Sequence, residues 1–304
     1  MSERANGFRL RRFAGHHTHT EQASRIRVAH LTDIHVGAVT PYAVQRRAVD
    51  MTNQEKPDVV VMTGDFVCHS QLYLDQLEDV IQRFDAPVFA VLGNHDYWSG
   101  AKEVRRSLKR AGAEVLDNAN TVVELGHERL QLVGVDDAYT GHASRERATK
   151  GMRTGIATVG LSHIAEEADG LWHDGVPLVL SGHTHAGQIT VARLHELSVG
   201  RLVGHKYVHG LYGARHPEGV YPGAVYVGAG IGAAVIPVRI GERAKREITL
   251  FDLGEKPGSF DEPFGEAVPL PGRPPSEKTK ARRHLRVAKK STGRDSEAPG
   301  DPAK

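Results

Sequence analysis

The chain has 304 residues, enough for one large α/β domain or two small ones with a sizeable core. Its 39% hydrophobic and 25% charged residues are ordinary for a soluble protein, and a formal charge of +2 gives no support to a nucleic-acid partner. The lone cysteine, Cys68, excludes an intrachain disulfide and fits a reducing compartment, whereas the 18 histidines are an unusual supply of metal ligands and proton carriers.

Residues 1–25 are polar, lack periodicity and are read as a flexible lead-in. Arg9, Arg11 and Arg12 are followed by His16, His17, Thr18, His19 and Thr20, not by an apolar run, so no export signal is read. No stretch of 18 or more apolar residues predicts a membrane span. The expectation is a cytoplasmic protein, peripheral to a membrane at most. His16 and His19 have a spacing that could hold a metal, but no carboxylates flank them and a solvated loop is the plainer reading.

From 26 to 253, short apolar runs alternate with amphipathic stretches. Ile26–Leu31, Val59–Met62, Val88–Leu92, Leu130–Val135, Ile156–Leu161, Leu178–Leu180, Val225–Val227 and Ile248–Leu253 are too short for helices and read as buried strands. Thr40-Pro41 reads as a helix N-cap with proline at the first helical position. Leu77, Val80, Ile81 and Phe84 repeat at helical spacing, as do Val104, Leu108 and Ala111 after Ser99 as a candidate cap. This alternation predicts a layered α/β domain with helices covering the sheet. Residues 254–304 turn to proline, glycine and charge, with a basic run at Lys278, Lys280, Arg282, Arg283, Arg286, Lys289 and Lys290. They read as a disordered, solvating tail, with attraction to anionic lipid or RNA as a weaker role.

Five short polar motifs follow predicted strands: Asp33-Ile34-His35, Gly64-Asp65, Gly93-Asn94-His95-Asp96, Ser162-His163 and Gly182-His183-Thr184-His185. In open α/β sheets ligands bind outside the carboxyl ends of the strands, so these motifs would meet in one crevice. Singly, each has a plain structural explanation: a helix cap, a turn, an Asn in a left-handed conformation, a hydrogen-bonded core histidine. His183 and His185, two residues apart on an extended segment, project to one side and can reach adjacent ions. In this order, each after an apolar run, the motifs point to a metal site.

The set resembles the calcineurin-like metallophosphoesterase superfamily, whose pattern is D-x-H, G-D, G-N-H-D or E, a histidine, then G-H-x-H. The resemblance covers residues 26–253. The strings LTDIHVG, GNHDYW and SGHTHAGQI look like its bacterial branch, which includes wall- or membrane-associated phosphoesterases and a pyrophosphatase acting on a UDP-linked diacylglucosamine lipid precursor. The resemblance implies a four-layer fold, a β-sandwich flanked by helices. It implies one metal on Asp33, His35, Asp65 and His185 and a second on Asp65, Asn94, His163 and His183, with Asp65 bridging. A donor set of N and O without thiolate suits Mn, Fe or Zn, with Mn favoured. The ions would activate water for in-line attack on phosphorus. His95 would serve the leaving group as acid or charge stabiliser, and Asp96 would orient His95 and raise its pKa, unless Asp96 caps the next helix instead. The other ring nitrogens of the histidine ligands should donate to carboxylates or backbone carbonyls. Purple acid phosphatases of this superfamily carry a tyrosine ligand three residues after the Gly-Asp aspartate. Cys68 stands there, so no iron–tyrosinate centre is expected, and the thiol reads as a small hydrophobe.

Two loops could shape specificity. Asp136–Lys150 holds Asp137, Tyr139, His142, Arg145, Arg147 and Lys150 and reads first as a solvated loop. Leu194–Tyr221 holds Arg201, His205, Lys206, Tyr207, His209 and Tyr212 among glycines and reads as a flap over the site. Pro237 and Arg239, after the glycine-rich Gly228–Gly232, receive no role. The expected activity is hydrolysis of a phosphate ester or pyrophosphate in a small substrate, a nucleotide-linked lipid being one candidate. The alternatives are a non-catalytic scaffold of the same fold, against which retention of every candidate ligand argues, and a nuclease, for which the basic tail is the one hint.

Overall fold

The computed structural model describes residues 7–187, 204–217, 221–233, 239, 244–260, 267 and 269–281. The first half of the chain runs β1 (Phe8–Ala14), α1 (His19–Gln22), β2 (Ile26–Leu31), α2 (Tyr42–Gln54), β3 (Val59–Thr63), α3 (Leu74–Gln82), β4 (Val88–Val91), α4 (Asn94–Ser99), α5 (Ala101–Arg110) and β5 (Glu114–Val115). The second runs β6 (Ala119–Leu125), β7 (Glu128–Val135), α6 (Arg145–Thr149), β8 (Ala157–Ser162), α7 (Ala168–His173), β9 (Leu178–Ser181), β10 (Gly210–Gly213), β11 (Ala224–Val227) and β12 (Arg246–Leu253).

The strands form two six-stranded sheets, ordered β1-β12-β2-β3-β4-β5 and β10-β11-β9-β8-β7-β6. In each, the central strands are parallel: β2 to β5 in the first, β7 to β9 in the second. Because side chains alternate across a strand, each sheet feeds two cores. Val28, Val59, Val61 and Phe89 of the first sheet meet Leu132, Val159, Leu161 and Leu180 of the second. Their neighbours Ala29, Val60, Met62 and Ala90 face outward onto Val49 of α2, Leu77 and Ile81 of α3 and Leu108 of α5. On the far side Val133, Val179 and Val225 pack on Ala148 of α6 and Leu171 and Trp172 of α7. The result is helix, sheet, sheet, helix, so the chain has the expected layered α/β architecture. Strands buried on both faces also explain why the apolar runs are continuous.

Three expectations are corrected. Residues 7–25 are not a flexible lead-in: β1 pairs in parallel with β12, and Arg11 is buried against Glu247 at 3.5 Å. His19 is a structural residue of this segment, accepting from the His16 N–H through Nδ1 (3.2 Å) and donating from Nε2 to the Thr158 carbonyl (3.0 Å). The tail is in part integral, because Ala267, Leu270 and Arg273 bond back to the body; Arg282, Arg283, Arg286, Lys289 and Lys290 lie outside the described residues. Thr40 and Ser99 do not cap. Pro41 precedes α2 while the Thr40 hydroxyl accepts from Ala233 N–H, and Gly100, with φ of 111°, separates α4 from α5.

Candidate metal centre

Both sets of parallel strands end at the same edge, and the loops leaving β2, β3, β4, β8 and β9 converge there. Asp33, His35, Asp65 and His185 bring one ligating atom each to within 4.8 Å of one another, and Asp65, His163 and His183 do the same beside them. Asp65 belongs to both groups. Its Oδ2 lies 3.6 Å from His35 Nε2 and 3.4 Å from His163 Nε2, while Oδ1 accepts from the His95 N–H at 2.9 Å. Asn94 joins the second group through Oδ1, 3.2 Å from His163 Nε2. The first sheet thus supplies Asp33, His35, Asp65 and Asn94, and the second supplies His163, His183 and His185.

Local backbone chemistry aims these groups. Asp33, His35, Asp65, His183 and His185 all have left-handed φ, from 43° to 74°, which non-glycine residues rarely adopt. The chain turns sharply at each strand end, so consecutive polar residues face the crevice. Neighbouring segments press close. A Cβ on Gly93 would stand 2.3 Å from Asp65 Oδ1, and one on Gly182 would stand 1.9 Å from Thr32 Oγ1 and 2.5 Å from Asp33 Oδ2. Glycine is needed at both points by close approach. The His183 N–H donates to the Asp33 carboxylate at 3.1 Å, tying β9 to β2 across the two sheets.

The donor set fits divalent cations. His35 Nε2 and His185 Nε2 are 3.0 Å apart, and His163 Nε2 and His183 Nδ1 are 3.2 Å apart, so in each pair a buried imidazole converges with a half-buried one. Charge balance agrees. Burial would raise the Asp65 pKa, but His163, His95 and His35 hold it well below the carboxylate range. Burial would lower that of His163, but Asp65, Asp33 and Asp137 push it up to about 10. The carboxylates thus demand positive charge in a buried place, which a cation can supply. Ring orientation is fixed at His163, whose Nδ1 donates to the Thr63 carbonyl at 2.8 Å. Contrary to expectation, the Nδ1 atoms of His35 and His185 are buried without a hydrogen-bond partner among the described residues.

His95 packs edge-on against His35 (4.9 Å between centroids) and Trp98 (4.8 Å), and against His69 (4.6 Å). Burial lowers its pKa, with Asp65 opposing. Asp96 does not turn to His95. Its Oδ2 accepts from Gly93 N–H (2.9 Å) and its Oδ1 from Phe66 N–H (2.8 Å) and Val67 N–H (3.2 Å), so it caps α4 and ties the β4 loop to the β3 loop. Cys68 belongs to neither ligand group; its thiol is buried 3.9 Å from the Ala233 carbonyl.

Several contributors were not singled out from sequence. Thr32 Oγ1 sits 2.8 Å from Asp33 Oδ2 and 2.9 Å from the Thr63 carbonyl. His69, with φ of 110°, backs His95. Arg239, left without a role by sequence, donates to the carbonyls of Ala229 (2.7 Å), Ala244 (3.0 Å) and Gly232 (2.5 Å), holding the glycine-rich loop against Asp33 and His35; Pro237 lies outside the described residues. A glycine-rich stretch followed by one basic residue was the available signal. In the first candidate loop the cations do not gather at the centre: Arg145 pairs with Asp174 at 2.6 Å, whereas Asp137 acts electrostatically on His163 and the Tyr139 ring lies 5.2 Å from the His183 ring. In the second, His205 lies 5.2 Å from the same ring, and Arg201 falls outside the described residues.

The comparisons with known proteins agree with this geometry. The family model described as calcineurin-like phosphoesterase matches residues 26–187, just over half of the chain, and the chain belongs to that family. Phosphodiesterase YaeI of Escherichia coli is 27% identical over 241 residues, covering 77% of this chain and 84% of its own. The uncharacterized metallophosphoesterase YkuE of Bacillus subtilis is 26% identical, covering 75% and 78%. A transmembrane protein with metallophosphoesterase domain from Danio rerio is 30% identical, covering 74% of this chain but 53% of its own. The chain is therefore a metal-dependent phosphoesterase by family. No helix among the described residues is long and apolar enough to cross a membrane.

Proposed function

We propose that the protein hydrolyses phosphodiesters using two divalent ions, with manganese favoured. The sharing of Asp65 between two groups of ligands carries this reading, and similarity to a relative named as a phosphodiesterase supports the diester. Asp33, His35, Asp65 and His185 would hold one ion; Asp65, Asn94, His163 and His183 would hold the other. Bound divalent ions supply Lewis acidity toward phosphoryl oxygens and acidify water near neutral pH. The protein does the rest. Asp65, fixed by the His95 N–H, keeps the two groups of ligands in register. His95, packed among His35, His69 and Trp98, is placed to give a ring proton to the departing oxygen. Asp96 acts on this step by positioning, through the backbone it binds. A pyrophosphate bond in a nucleotide-linked lipid, the finer reading of the sequence, presents the same phosphoryl chemistry to these residues.

The test is hydrolysis of p-nitrophenyl phosphate and bis-p-nitrophenyl phosphate by metal-stripped protein given back Mn²⁺, Zn²⁺ or Mg²⁺. The diester should turn over faster than the monoester. Asp65→Ala should lose bound metal and activity together. His95→Ala should keep the metal and lose ~10²–10⁴-fold in kcat, the range for general acid–base groups. Wild-type protein that binds no metal and turns over neither ester would favour the scaffold reading.

A further inference from the structure

Ala267 and residues 269–273 form a seam with residues 204–211. Ala267 N–H donates to the Leu211 carbonyl (2.7 Å), Leu270 N–H to Lys206 (2.9 Å) and Arg273 N–H to Gly204 (2.7 Å). Each side contributes a glycine in the left-handed region. A Cβ on Gly204 (φ +98°) would stand 2.8 Å from Arg273 Cβ, and one on Gly272 (φ +66°) would stand 3.2 Å from Lys206 Cβ. Close approach of two backbones explains glycine on both strands of the seam.

Beyond the seam the chain continues as a strap, and between strap and body lies a cavity of about 690 Å³. Pro271, Pro274 and Pro275 line it from the strap, and Tyr139, Ile164 and His205 from the body. The cavity adjoins the metal centre, because the Tyr139 and His205 rings each lie 5.2 Å from the ring of His183. His205 is steadied by Glu166, 3.1 Å from its Nδ1, and Glu166 also accepts from Lys206 N–H at 2.9 Å. A phosphoryl group needs far less room than this, whereas pockets for whole organic ligands span roughly 300–1,000 Å³. Flat rings and apolar prolines offer faces to a planar, ring-bearing occupant, and the charged groups that also line the cavity, Glu166, Glu167, Lys206, Arg273 and Lys280, offer polar partners to its edges.

We propose that the cavity between the strap and the body is the subsite for the organic arm of the substrate, a ring-bearing group of nucleoside size, and that residues 271–280 set which arm is accepted. The proposal rests on the phosphodiesterase reading of the centre. It makes the C-terminal segment a specificity element, distinct from the ligands that do the chemistry.

Calorimetric titration of the manganese-loaded full chain with thymidine 5′-monophosphate and with inorganic phosphate tests it. The nucleotide should bind at least tenfold tighter than phosphate. Gly272→Val, which forces the strap off Lys206, and Ser276→Trp, which fills the cavity, should each cut that preference at least fivefold while phosphate affinity stays within twofold. A nucleotide that binds no tighter than phosphate, or a preference that survives both variants, overturns the proposal. So does a parallel loss of both ligands in both variants, which would make the strap a part of the fold alone. If phosphate itself fails to bind the loaded full chain, the reading of the centre falls, and this inference with it.

Discussion

The ligands themselves carry backbone strain. Asp33, His35, Asp65, His183 and His185 sit at φ values that L residues avoid, and Ala186 follows at 53°. A left-handed residue costs ~1–2 kcal/mol, so the centre is held in a conformation that the rest of the fold must stabilise. His185 isolates the effect. His185→Ala and His185→Gly remove the same imidazole, but glycine adopts φ of 50° without the Cβ penalty that alanine carries. Both variants should lose activity, and the glycine variant should be about 1 kcal/mol more stable than the alanine variant in urea unfolding. Equal midpoints would show that the turn is relaxed. At this scale the sequence was informative wherever polar residues break an apolar run, as in Gly93-Asn94-His95-Asp96. It named Tyr139 only as one member of a loop read first as solvated, and was silent on His69, which approaches His95 only through a backbone turn.

Among the elements, β1 and β12 show what a linear reading misses. Phe8-Arg9-Leu10-Arg11-Arg12-Phe13-Ala14 holds three arginines and reads as exposed, yet it is an edge strand whose Arg11 is buried. The missing information lay 236 residues away, in the Glu247 that Arg11 pairs with. Glu247 also meets His209 at 3.3 Å and accepts from the Tyr226 hydroxyl at 2.5 Å. Burial would raise the Glu247 pKa, but His209 and Arg11 hold it well below the usual glutamate value. A carboxylate depressed in the folded state stabilises above its unfolded pKa of about 4.5, and that stability drains as pH falls toward the folded value. Glu247→Gln should therefore cost ~3–5 kcal/mol at pH 7, the penalty for breaking a buried pair, and should flatten the pH dependence below about 4.5. A parallel acid-unfolding curve for wild type and variant would assign the acid sensitivity to other groups. The strands of the central sheets needed no such distant partner, because a continuous run of Val, Ile and Leu declares burial on both faces unaided.

For the molecule as a whole, the centre is a joint between two sheets. Ions on Asp33, His35, Asp65 and Asn94 from one side and His163, His183 and His185 from the other would clamp the sandwich at its open edge. A ligand that binds only the folded state at 100 times its Kd adds ~2.7 kcal/mol. At ~2–4 °C per kcal/mol for a chain of this size, stripping with a chelator should lower Tm by about 5–10 °C, reversibly on adding Mn²⁺. An unchanged Tm would mean that the two halves of the centre are held by protein contacts alone.

The order of the first sheet sets a timetable for biosynthesis. β12 is inserted between β1 and β2, although it is made last of the three by some 215 residues. Until Arg246–Leu253 leaves the ribosome, the flanks of β1 and β2 that β12 will cover have no partner, and such open edges recruit other chains. The sheet that carries Asp33 and Asp65 is therefore sealed only after nearly the whole domain has been synthesised. A nascent chain stalled short of residue 246 would be aggregation-prone and, lacking that seal, could not hold the first sheet's ligands in their strained geometry.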